Sequence, residues 1–138
     1  MNSRQLAVAL LILRIALAAF LLLFGIDKLV ATETTVRVFE HYYGLAISAP
    51  VAHAAGALEI LLSLAMLAGL WKTVTYGLGL LLHAISTLAT YEQLLSPFGE
   101  NHLFIASIPV LAAFIALFLL RRQDTLLSLD ASAREENK

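Results

Sequence analysis

Three ionisable side chains sit inside apolar runs of this 138-residue sequence: Arg14, Glu59 and His83. At about 1.5 Å of rise per helical residue, Arg14 lies about 12 Å in from Leu6, where its apolar run opens. Counted from the same side, Glu59 lies about 18 Å in and His83 about 15 Å. A guanidinium beside a carboxylate of adjustable pKa suits a quinone, whose carbonyl oxygens need donors and whose reduction consumes protons. The other reading of such a pair is a buried ion bridge that fixes helix register. Arg14 is the only cation at the depth of Glu59, so the two are expected to pair.

The helical faces agree with an inward placement. At about 100° per residue, Ala7, Arg14, Ala18, Leu21, Gly25 and Lys28 fall on one stripe, and His53, Gly56, Glu59 and Ser63 on another. Tyr76, Gly79, His83, Thr87 and Thr90 form a third. Small and polar residues share these faces, as where membrane helices pack closely. Between Leu6 and Ile26 there are fourteen Leu, Ile, Val or Phe, worth about 4–8 kcal/mol of insertion against about 2.5–3.5 for one Arg. From Val51 to Leu70 there are eight, worth only about 2.5–5 kcal/mol against a carboxylate of similar cost. Glu59 therefore needs a proton or a partner.

A second polar layer belongs at the opposite ends of these helices: Lys28, His53, Tyr91, Glu92, Glu100 and His102, with Glu40, His41, Tyr42 and Tyr43 nearby. It reads as the mouth of a site, with His53, Tyr91, Glu92 and His102 as its candidates. Four-helix bundles hold haem between facing helices. His53 and His102 match in depth and are the weak candidates for haem or metal, whereas His83 lies too deep to join them. Interfacial histidines are the commoner case, so neither haem nor a metal is assigned.

The elements that must position these groups are membrane helices. The chain is 60% hydrophobic and 14% charged, against about 45–50% and 25% for a soluble domain. An all-α, integral membrane four-helix bundle is expected, with spans near 6–30, 51–71, 73–94 and 102–120, each long enough to cross hydrocarbon. The first run exceeds a signal-peptide core and lacks a cleavage site, so it is read as a retained helix. Arg4, Lys72 and Arg121-Arg122 fall on one side, which places both termini in the cytoplasm. The outer segment "TETTVRVFEHYYGLAISAP" has Val36, Phe39 and Tyr43 at helical spacing, as in a short interfacial helix. Pro109 should bend the last span, and residues 123–138 read as a polar, partly frayed cytoplasmic tail beyond a domain of residues 1–122. With no cysteine, thiol relays, iron–sulfur clusters and thiolate metal sites are excluded, and no basic patch points to nucleic acid.

"RIALAAFLLLFGIDKL" and "GALEILLSLAMLAGL" together resemble the DoxX-type family of small four-helix membrane proteins (DoxX/DoxD-like). The matching positions are Arg14, Phe20, Gly25, Lys28, Gly56, Glu59 and Gly69. The resemblance implies a multi-pass protein of a bacterial or archaeal inner membrane. It also implies association with quinone-linked redox systems, as in the small subunit of thiosulfate:quinone oxidoreductase, while related families serve in maturation of periplasmic enzymes. Of the site candidates, only Arg14, Lys28 and Glu59 carry over; His83 and the other histidines rest on spacing alone. Two functions stay open: a subunit that meets quinone and a redox partner, not catalytic alone, or a non-catalytic scaffold whose outer loops hold a periplasmic protein. Lipid is the certain partner, and a second copy of the chain is compatible with either reading.

Overall fold

A computed structural model describes residues 2–135, and these form helices joined by short turns with no strand. α1 runs Ser3–Val30, opened by a capping box in which Asn2 Oδ1 accepts the Gln5 N–H at 2.8 Å and Gln5 Oε1 accepts the Asn2 N–H at 3.1 Å. α2 (Thr32–Tyr43) follows almost at once and ends on Gly44 in the left-handed region, φ 65°, where a Cβ would be strained. α3 is Ala49–Leu67, with Pro50 in its first turn where the missing N–H costs nothing. α4 is Lys72–Ala89, α5 Tyr91–Leu95, α6 Ser107–Leu119 and α7 Leu129–Glu135; a 3₁₀ turn, Gly99–Ala106, leads into α6.

α1, α3, α4 and α6 pack antiparallel in sequence. The α1–α3 contact is set by two glycines: a Cβ on Gly56 would lie 2.8 Å from the Gly25 carbonyl oxygen, and one on Gly25 would lie 2.9 Å from Ile60 Cγ1. Only two glycines let these backbones approach so closely. α4 runs back along α6, with Gly77 beside Phe118, Gly79 beside Phe114 and His83 beside Ser107. Leu10, Leu17, Ala18, Leu21, Met66, Tyr76, Phe114 and Leu117 fill the centre. Leu23, Leu58, Leu61, Leu88 and Leu119 are exposed on the outside, as a lipid-facing surface requires.

Three helical stretches are long and apolar enough to cross a membrane: Ser3–Val30, Ala49–Leu67 and Gly99–Leu119. The expected span at 73–94 is divided between α4 and α5. α4 buries Lys72, Thr75, Tyr76, Gly79, His83 and Thr87 on its inner face, which makes it the polar-faced helix of the bundle. It stops at Ala89 because threonine hydroxyls compete for its last carbonyls: Thr87 Oγ1 donates to His83 O at 2.8 Å and Thr90 Oγ1 to Thr87 O at 3.1 Å. The bend expected at Pro109 takes the form of a change from 3₁₀ to α geometry at Ser107, two residues earlier.

The tail corrects the sequence reading. Residues 123–135 do not fray away from the bundle: Asp124 is 0% exposed and Ser128 3%. Leu129 N–H donates to Ala68 O and Asp130 N–H to Gly69 O, so the segment is fastened to the α3–α4 turn. The boundary expected at residue 122 is therefore not a structural one. The last residues, 136–138, lie outside the described part.

Candidate functional site

The expected Arg14–Glu59 pair is not formed. Arg14, 1% exposed, places Nη1 3.0 Å from Asp124 Oδ2, while Nη2 donates to the carbonyls of Leu126 at 2.7 Å and Leu127 at 2.8 Å. Glu59 instead meets Lys28, with Nζ 2.7 Å from Oε2. The reason is register. Once Gly25 lies against Gly56, Arg14 is eleven residues down α1 and comes level with Gly69, whose added Cβ would lie 2.8 Å from Arg14 Nη1. Glu59 is ten residues back along α3 from Gly69, about 15 Å away. Depth counted from Leu6 therefore did not give the offset between the two helices, which the glycine contact sets.

Around Asp124 the tail end of the bundle closes into a polar knot. Tyr76 Oη donates to Asp124 Oδ2 at 2.5 Å, and Lys72 Nζ donates to the Asp124 carbonyl at 2.6 Å. Ser128 Oγ donates to Gly69 O at 3.1 Å. The Asp130 carboxylate accepts the N–H groups of Trp71 and Lys72 at 2.8 and 2.9 Å, capping α4 at the positive end of its dipole. Arg14 Nε and Asp124 Oδ1 are buried without a partner. With Nη1 on a carboxylate and Nη2 on two carbonyls, the Arg14 guanidinium is built into the fold. Sequence reasoning missed Asp124, Lys72 and Tyr76 as a site. Tyr76 was on the inward stripe, but nothing in the polar tail marked Asp124 as its partner.

Lys28 and Glu59 make the second polar site, between α1 and α3. Side chains lean toward the N-terminus of their own helix, and in antiparallel helices those directions converge. Both keep some exposure, 16% and 12%. Lys28 Nζ also donates to Phe24 O at 3.2 Å and lies 5.8 Å from the centre of the Phe24 ring. An ammonium carries three protons, so one donor remains, and among the described residues no hydrogen bond reaches Glu59 Oε1. In an apolar surround, an ion pair left half satisfied is expensive unless a further polar group completes it.

His83 belongs to neither site. Its Nε2 lies 2.9 Å from Ser107 O, and its ring stands between Phe20, at 5.4 Å, and Phe114, at 5.5 Å. A carbonyl partner makes that nitrogen the donor, so the ring packs as a satisfied inner histidine. The outer candidates are dispersed. His53 Nε2 bonds Thr32 Oγ1 at 2.8 Å. His102 Nδ1 lies 3.3 Å from Pro97 O. Tyr91 donates to Glu92 Oε1 at 3.2 Å, and that carboxylate raises the phenol's pKa. Among the described residues no three His, Asp or Glu side chains gather to hold a metal ion.

A family model described as DoxX matches residues 9–93, which take in the Gly25–Gly56 contact, the Lys28–Glu59 pair and Gly69. The match stops short of α6 and of Asp124, so the partner of Arg14 lies outside it. Neither a curated protein nor a solved structure matches the chain.

Proposed function

This chain belongs to the DoxX family, and on that premise we propose that it is a multi-pass membrane subunit serving quinone-linked redox chemistry, with Lys28 and Glu59 as the site. One observation carries the reading: an ion pair at 2.7 Å on the α1–α3 seam, partly exposed, with an ammonium proton and a carboxylate oxygen both unbonded. These two groups fit a quinone. Bound there, a quinone would supply two-electron, two-proton carrier chemistry. Lys28 would donate a hydrogen bond to a carbonyl oxygen, and Glu59 would hold the proton that leaves or arrives at that oxygen. With no cysteine in the sequence, a partner protein supplies the electrons. The basic residues Arg4, Arg121 and Arg122 at the tail end support a reading with that end cytoplasmic and the Lys28–Glu59 level toward the other face of an inner membrane.

Labelling with a photoactivatable quinone in lipid nanodiscs tests this directly. Adducts are expected on α1 and α3 near Lys28 and Glu59, and they should vanish in Lys28→Met and Glu59→Gln. Labelling that ignores both substitutions would overturn the proposal.

A scaffold role is the second reading, and a different observation favours it. At the end of the bundle beyond α4, Leu95, Phe98 and Leu103 are each more than 80% exposed, at 81%, 81% and 84%. Apolar side chains held out on a turn suit contact with a partner protein. Loss of function on Phe98→Ser with quinone labelling intact would favour this reading over the first.

A further inference from the structure

A surface recess lies between α2 and the first turns of α3, formed by residues that the Lys28–Glu59 reading does not use. Thr32, Glu33, Val36, Arg37, Ala49 and His53 line this open, largely apolar recess of about 350 Å³. Glu33 and Arg37 stand four residues apart on α2, a spacing at which helix ion pairs close readily. They do not close. Arg37 Nη2 donates to Thr34 Oγ1 at 3.1 Å, and the ion pairs among the described residues are Arg14–Asp124 and Lys28–Glu59. His53 is oriented by Thr32. The single hydroxyl proton of Thr32 goes to the carbonyl of Lys28 or Leu29, each at 3.2 Å, so its oxygen accepts Nε2–H of His53.

The recess thus offers a cation and a carboxylate that make no ion pair with each other. A simple anion would be opposed by Glu33 and a simple cation by Arg37, whereas a small zwitterion satisfies both. We propose that the recess binds the phosphoethanolamine headgroup of a membrane phospholipid, its phosphate on Arg37 and its primary ammonium on Glu33. The setting fits a lipid rather than a free metabolite. α2 is an amphipathic helix packed on α1 and α3, the kind of helix that lies at the headgroup level of a bilayer. Val30 and Val51, 77% and 51% exposed, flank the recess in sequence and offer apolar surface along which acyl chains would run.

Delipidated protein mixed with phosphatidylethanolamine, phosphatidylcholine or phosphatidylglycerol and examined by native mass spectrometry is the test. Phosphatidylethanolamine should be retained about tenfold more than the other two, because a quaternary ammonium has no proton for Glu33 and glycerol has no charge for it. Arg37→Ala should abolish retention, and Glu33→Gln should erase the preference over phosphatidylcholine. Both side chains are exposed, so the thermal midpoint should hold in both variants. Equal retention of the three lipids, or retention unchanged in Arg37→Ala, overturns the proposal. Soluble phosphoethanolamine held as tightly as the lipid would assign the recess to a metabolite and overturn the lipid assignment. Quinone labelling at Lys28 is unaffected by any of these results, so the two readings fail separately.

Discussion

Arg14 and Asp124 are 110 residues apart in the chain and 3.0 Å apart in the fold, both fully buried. Their contact ties α1 to the segment after α6, and Tyr76 and Lys72 join it from α4, so three parts of the bundle meet at one carboxylate residue. A guanidinium near the end of a membrane bundle has two ways to avoid an uncompensated charge: reach water or be supplied with acceptors. Here the tail brings the acceptors to it.

Asp124→Ala should therefore destabilise strongly, because it leaves the guanidinium buried with only two carbonyls; the expected loss is about 3–5 kcal/mol. Removing both charges, in Arg14→Met with Asp124→Ala, should cost much less than the sum of the single changes. Thermal unfolding of the four proteins in one detergent measures the coupling. Additive losses would mean that the pair does not interact as the geometry requires.

Gly69 and Gly44 separate two effects. Both have positive φ, 64° and 65°, but a Cβ on Gly44 meets nothing within 4 Å, whereas one on Gly69 would lie 2.8 Å from Arg14 Nη1 and from Ser128 Oγ. Gly44→Ala should show the left-handed strain alone, about 1–2 kcal/mol. Gly69→Ala should lose more and should loosen the tail, seen as faster amide exchange at Leu129 and Asp130. Equal losses with an unchanged exchange pattern would contradict this.

The sequence made the inward faces legible. Ala7, Arg14, Ala18, Leu21 and Gly25 are all buried, as are Gly56 and Ser63, and Tyr76, Gly79, His83 and Thr87. Facing depends on 3.6-residue periodicity, which is local. The pairing was not legible, because it depends on the offset between helices. That offset is set by the Gly25–Gly56 contact and leaves Arg14 nearly three turns from Glu59, about 15 Å. Asp124 was harder still. It stands in a polar stretch without periodicity, where burial of a carboxylate is decided by a cation 110 residues away. A count of deep charges without partners would have asked which acid satisfies Arg14, and the tail after Arg122 offered four, Asp124, Asp130, Glu135 and Glu136.

Asp130 supplies a smaller, local stabilisation. Its carboxylate caps α4 across 58 and 59 residues of chain. Asp130→Ala should cost about 1 kcal/mol, the usual worth of a helix cap, and Asp130→Asn should recover only part of it, because the amide oxygen accepts one of the two N–H groups while its NH2 opposes the other. If the Asn variant were as unstable as Ala, charge and dipole rather than the hydrogen bonds would dominate.

Lys28 and Glu59 should behave differently from Arg14 and Asp124, because both retain some exposure. Lys28→Met with Glu59→Leu removes two charges from the α1–α3 seam and fills the space with apolar atoms, a replacement that is often neutral or stabilising. Glu59→Leu alone leaves an unpaired ammonium and should lower the thermal midpoint more than the double change. The double variant should therefore fold while losing quinone labelling, which separates a binding role from a structural one. A double variant that folds and still labels would leave Lys28 and Glu59 as a register device only, and one that unfolds would show that the pair holds α1 to α3.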